Sequence, residues 1–152
     1  MESFFKLENI NKTFGTHRAV YDVSLNVNKG EVFSLLGPSG CGKTTMLRVA
    51  AGFEEPESGK VFLDGKDISS LPPNKRKINT VFQNYALFPH LNIYDNIAFG
   101  PRIAKIPEPE IEKRVKNMLE LIRLEEHAFK RPDQISGGQK QRVAIARALI
   151  NR

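Results

Sequence analysis

The sequence predicts an α/β fold organised around a phosphate-binding loop, and three observations carry that prediction. A mostly apolar run, Val32-Phe33-Ser34-Leu35-Leu36, leads into a Gly-rich loop, Gly37-Pro38-Ser39-Gly40-Cys41-Gly42-Lys43-Thr44, and a helical stretch follows from Thr44 to Ala51. Segments before the loop alternate apolar and polar residues as strands do, whereas segments beyond Tyr85 carry the spacing of helices. With 152 residues, 40% apolar and 26% charged, the chain can bury a core and is neither disordered nor fibrous in composition.

Taken in order, Phe4 to Ile10 and Ala19 to Val27 read as strands. In the second, Tyr21, Val23, Leu25 and Val27 alternate with Asp22, Ser24 and Asn26, the pattern of a half-buried strand. Lys12 to Thr16 reads as a turn between them, and Asn28-Lys29-Gly30 as the next. The run Val32 to Leu36 suits a strand covered on both faces of a parallel sheet. Gly52 closes the helix after the loop, and Glu54 to Gly59 is a surface connection. Val61-Phe62-Leu63 followed by Asp64-Gly65 is a strand entering a tight hairpin turn. Lys75-Arg76-Lys77 reads as a solvated loop, and Ile78 to Phe82 as a further strand. After Pro107 and Pro109, Ile111, Val115, Met118, Leu119 and Ile122 share one helical face. A last helix, from about Gly138 to Ile150, is apolar nearly all round from Val143, which predicts burial.

Composition narrows the setting. The single cysteine, Cys41, excludes an intrachain disulfide framework. No run of about 18 apolar residues is present, and the start lacks a long apolar stretch, so neither a membrane span nor a secretory leader is expected and a cytosolic setting is. A formal charge of +6, from 23 basic and 17 acidic residues, suits an anionic partner, although solvated Lys and Arg explain it equally well. His17, His90 and His127 show no metal-ligand spacing.

The loop Gly37 to Thr44 matches G-x-x-x-x-G-K-[ST] between a strand and a helix, the context in which that pattern binds phosphate. Its glycines let successive N–H groups turn inward, the helix adds its positive end, Lys43 reaches phosphate oxygens, and the Thr44 hydroxyl can ligate Mg²⁺. Ser136-Gly137-Gly138-Gln139 is a second candidate anion site: Ser136 suits an N-cap, and the glycines leave N–H groups uncovered at a helix start. A plain capped helix after Pro132 accounts for that segment as well when it is considered alone. Cys41 stands at the start of the phosphate-loop helix, so its alkylation is expected to block nucleotide binding.

Together, Gly37 to Thr44, Gln83 at a strand end and Ile135-Ser136-Gly137-Gly138-Gln139-Lys140-Gln141-Arg142 resemble the nucleotide-binding subunit of an ATP-binding cassette importer, over essentially the whole chain. The stretch Asn79 to His90 resembles the polyamine-importing branch most, and related subunits for iron or sugars as well. The resemblance implies a P-loop core with an N-terminal antiparallel β subdomain to about residue 83. It also implies a helical subdomain over about 84–135, and the signature segment with a core helix over 136–152. It further implies ATP and Mg²⁺ as cofactors. Phe14 would stack on adenine, where a turn aromatic packed on the sheet is the alternative. Gly37, Pro38, Ser39, Gly40, Cys41, Gly42, Lys43, Thr44 and Thr45 would form the phosphate cradle, and Thr44 and Gln83 would serve the metal, where a plain strand-end polar residue is the alternative for Gln83. Ser136, Gly137, Gly138 and Gln139 would close in trans on nucleotide held by a second subunit in a homodimer or paired assembly. Tyr85 to Leu91 would face a membrane permease, where Tyr85 to Pro89 packed as satellite core is the equal alternative, with a solute-binding protein engaged indirectly, at the cytoplasmic face of the membrane and without nucleic acid.

The resemblance also implies a following strand ending in Asp-Glu, then an aspartate and a histidine, which would fall beyond Arg152. No general base is therefore expected within these residues, and the segment is expected to bind nucleotide but turn over little. Ile135 stands where the family usually has Leu, and Gly100-Pro101 where Gly-Leu is usual, so a helix there is expected to start differently. Three other functions compete. A non-catalytic ATP-binding remnant fits the same residues. A soluble cassette protein acting on nucleic acid or ribosomes would usually carry paired cassettes, and a small nucleotide kinase has no use for Ser136 to Gln139.

Overall fold

The computed structural model describes residues 3–151, so the readings that rest on Met1, Glu2 and Arg152 lie outside the described residues. The chain forms two units, Met1–Ile78 and Asn79–Arg152.

The first unit is a four-stranded antiparallel sheet with one helix packed on it. The strands are β1 (Phe5–Phe14), β2 (His17–Val27), β3 (Ser58–Leu63) and β4 (Lys66–Asp67), in the order β2-β1-β3-β4. β1 runs on through Lys12 to Phe14, so the expected turn shrinks to Gly15-Thr16, with Phe14 opposite His17. The register of the β1–β2 ladder shifts at three places, two of them at Asn9 and Asp22, whose φ values of 49° and 45° lie in the left-handed region. Their side chains hold each other: Asn9 Nδ2 donates to Asp22 Oδ1 at 2.8 Å, and the Asn9 N–H donates to Ser24 Oγ at 2.8 Å. The extra residue at Asp22 inverts the strand's phase. Val20 is therefore buried and Tyr21, expected on the apolar face, is 63% exposed beneath the Arg18 guanidinium. Asp64-Gly65 forms the expected tight turn, with φ of 50° and 73°.

α1 (Lys43–Ala51) turns Met46 and Val49 into a core with Leu7, Ile10, Val20, Val61 and Ile68, and ends at Gly52 with φ 81°. Arg76 overturns the solvated-loop expectation. Only 7% exposed, it donates to the carbonyls of Leu71, Ser69, Val49 and Ala50 at 2.8–3.0 Å, closing the C-terminal end of α1. Burial pushes its pKa down from the usual guanidinium value.

The expected strands Val32–Leu36 and Ile78–Phe82 are not formed among the described residues. A parallel strand exists only through its neighbours, and no described strand flanks either run. Val32 and Leu36 are each 92% exposed, so apolar sequence there is not matched by burial.

The second unit packs α2 (Ile93–Ile103), α3 (Glu108–Ile122) and α4 (Gly137–Leu149) around one core. Ile93, Ile97, Ile111, Val115, Leu119, Ile122, Val143, Ala146 and Ile150 are all buried in it, as the α3 face predicts, with Met118 at its edge. Arg102 ties α2 to α3 by donating to Asp95 and Glu108 at 2.7 and 2.9 Å, and those bonds hold its pKa above the usual value. α4 corrects the sequence reading. Its Val143, Ala144 and Ala146 are buried, but Ile145 is 39% exposed, so one side faces outward. Gly100-Pro101 lies in the last turn of α2 rather than at a helix start. No helix among the described residues is long and apolar enough to cross a membrane.

Candidate nucleotide site

The hairpin β1–β2 and the start of α1 meet in the first unit around a hollow of about 360 Å³, in the range of small-molecule sites. Phe14, His17, Ala19, Ser39, Gly40, Gly42, Lys43, Thr44 and Thr45 line it. Phe14 is 45% exposed, with the Lys12 ammonium 5.3 Å from its ring centroid, so part of its ring remains open to the hollow. Lys12 is held in place by Glu54 Oε1 and the Glu55 carbonyl, both at 2.8 Å.

Backbone geometry forms the cradle. Gly42 caps α1 with φ 91° and no side-chain cap, and the first in-register helix bond is Met46 N–H to the Gly42 carbonyl at 2.9 Å. The amides of Lys43, Thr44 and Thr45 are thus the uncapped donors of a helix start, where an anion is favoured. A Cβ on Gly42 would run into the Ala19 carbonyl, and one on Gly37 would come 2.6 Å from Cys41 Sγ. Gly42 therefore needs glycine on steric grounds, whereas at Gly37 the Cys41 side chain would have to turn away. Lys43 Nζ lies across the loop, donating to the Gly37 and Pro38 carbonyls at 2.6 and 2.7 Å and to Cys41 Sγ at 3.3 Å. The Cys41 N–H donates to the Pro38 carbonyl at 3.4 Å.

These residues fit a nucleoside triphosphate: an aromatic face at one end, a cationic amide-lined loop at the other. They also fit a metal held mainly by phosphate oxygens. No group of three or more His, Cys, Asp or Glu capable of holding a metal occurs among the described residues, and Thr44, which carries a hydroxyl, is among the residues lining the hollow. Because exposed Cys41 packs within the loop, treatment with N-ethylmaleimide is expected to abolish ATP binding. Preincubation with ATP should protect the thiol, which mass spectrometry of the labelled chain would read.

The other expected site residues belong to the second unit. Gln83 sits in a turn that closes by Tyr85 N–H donating to the Phe82 carbonyl at 2.9 Å. Ser136 caps α4 as expected, accepting from the Gln139 N–H at 3.3 Å, while Gln139 Oε1 accepts from the Ser136 N–H at 2.7 Å. Gln139 Nε2 also lies 3.5 Å from His127 Nε2, so its side chain is engaged within the chain. Gly137 and Gly138 differ: a Cβ at either would meet nothing within 4 Å. Nothing in the unit's own packing requires glycine there. His17 and Ala19 are the lining residues that sequence reasoning missed, and the placement of His17 opposite Phe14 follows only from the hairpin register.

Comparison with known proteins adds the following. A family profile described as ABC transporter matches residues 20–152. The chain is 66% identical over 144 residues to the spermidine/putrescine import ATP-binding protein PotA of Protochlamydia amoebophila, covering 95% of this chain and 39% of that protein. It is 62% identical over 145 residues to the protein of the same name from Thermotoga maritima, with 95% and 39% covered. The chain thus spans about two fifths of the length of these relatives, 39% in each case. Among solved structures it resembles the ATP-binding cassette MJ0796, in a dimeric post-hydrolysis state bound to ADP and Pi, with TM-score 0.85 and 38% identity over 97% of this chain and 69% of that one.

Proposed function

The chain belongs to the ABC transporter family, and from that premise we propose that it is the nucleotide-loading segment of an importer's ATPase subunit, coupling ATP to uptake of a small solute. The observation that carries this reading is the single hollow shared by Phe14 and the phosphate loop. Polyamine is the proposed solute class, supported by the spermidine/putrescine import names of relatives 66% and 62% identical to this chain.

In this reading the Phe14 ring takes the adenine face, and the amides from Ser39 to Thr45 take the phosphate oxygens. Lys43 leaves the Gly37 and Pro38 carbonyls for the terminal phosphates. Thr44 and Gln83 would hold Mg²⁺, which when bound neutralises charge on the transferring phosphate. Ser136 to Gln139 present the bare Gly137 and Gly138 surface to nucleotide held by a second copy in an isologous dimer. Tyr85 to Leu91 would meet a membrane permease at the cytoplasmic face, and a solute-binding protein would act through that permease.

Titration with Mg-ATP, followed by light scattering, tests the reading through Gly138→Ala. In the free chain this substitution should be harmless or stabilising, since alanine is favoured in a helix by about 1 kcal/mol. ATP-driven association should nonetheless weaken by about tenfold or more if a partner's phosphate approaches that surface. Unchanged association, or no binding of Mg-ATP by the unmodified chain, overturns the proposal.

A further inference from the structure

The turn carrying Gln83 runs into two consecutive non-glycine residues in the left-handed region, Tyr85 at φ 62° and Ala86 at φ 44°. Side chains rarely tolerate that conformation, so something must hold it. Arg147, in the last turns of α4, does so. Its Nη1 donates to the Ala86 carbonyl at 2.8 Å, its Nη2 donates to the Tyr85 carbonyl at 3.2 Å, and its guanidinium lies 5.3 Å from the Phe88 ring centroid.

No carboxylate among the described residues pairs with Arg147, and burial pushes its pKa below the usual guanidinium value. A half-buried charge directed at two backbone carbonyls is not needed to fill space, because α4 is already anchored in the core through Val143 and Ala146. The rest of the loop has a separate anchor. Asn96 of α2, fully buried, accepts from the Phe88 N–H at 2.8 Å and donates to the carbonyls of Phe88, Leu91 and Asn92 at 2.9–3.2 Å. The loop is therefore pinned at Phe88 to Asn92 by α2 and at Tyr85-Ala86 by α4.

We infer that Arg147 is a positioning residue that fixes the Phe82–Tyr85 turn, and with it Gln83, to the helix whose other end is the Ser136–Gln139 segment. The importance of that link rests on the nucleotide reading above. A displacement of α4 would then move Gln83 directly, without passing through the apolar core.

Amide exchange followed by NMR tests this, using Arg147→Met together with Arg147→Lys, which keeps the charge and stem but loses the two-pronged geometry. The Tyr85 amide, which closes the turn, should exchange about tenfold or more faster in Arg147→Met, with an intermediate effect in Arg147→Lys. The Phe88 amide, held by Asn96, and the amides of Val143 to Ala146 should stay within about twofold. An unchanged Tyr85 amide overturns the inference, as does acceleration of Phe88 and α4 amides along with it, which would mean general loosening. ATP titration of the unmodified chain separates the two proposals. Loss of ATP binding there removes the nucleotide reading while the exchange result still decides whether the clamp exists.

Discussion

Replacing Lys43 with alanine is expected to weaken ATP binding by about 100-fold, equivalent to about 2.7 kcal/mol, with little change in melting temperature. The side chain makes its recorded bonds to loop carbonyls and to a sulfur, not to either core, so the fold does not depend on it. What it would supply in the proposed reading is an ammonium already lying in the loop, its bonds to Gly37 and Pro38 exchanging for charge-assisted bonds to phosphate. Calorimetric titration with ATP and with adenosine distinguishes this from a general loss. Adenosine, which can use only the Phe14 end, should bind nearly as before, and a Kd for ATP within twofold of the unmodified chain would contradict the assignment.

Arg76→Met is expected to destabilise the first unit by about 2–4 kcal/mol. The Val49 carbonyl keeps the Gly52 N–H at 3.1 Å, but the carbonyls of Ser69, Ala50 and Leu71 each lose a charged donor in a partly buried site. Exchange protection of β1 and α1 amides should fall by about 30- to 1,000-fold. Lys75→Ala and Lys77→Ala, on exposed neighbours, should move it by less than about 0.5 kcal/mol. Equal effects at all three positions would remove the capping role from Arg76. ATP affinity should fall with it, because the same α1 presents the phosphate loop at its other end.

What the sequence disclosed was what neighbours in the chain decide. The Gly-rich loop, the helix it opens, the Asp64-Gly65 turn, the α3 face and the Ser136 cap each depend on a few adjacent residues, and each is present. The bulges at Asn9 and Asp22 were hidden, because an Asn or Asp in the left-handed region looks like any polar strand residue until its partner across the ladder is known. Arg76 and Arg147 were hidden for a related reason. Their partners are carbonyl oxygens, which every residue carries, so no pattern of side chains marks them. Conversely, the apolar runs at 32–36 and 78–82 signalled strands that only lateral neighbours could realise.

Phe14 and the phosphate loop share a single unit, so in the proposed reading both ends of an extended nucleotide would be met by one compact piece of chain. Capture and commitment are therefore separable events. In the proposed reading the first unit alone would hold the nucleotide, whereas the Gln83 turn and the Ser136 segment belong to the second. That order would let occupancy be governed by cellular nucleotide supply and firing by whatever brings the remaining parts to bear.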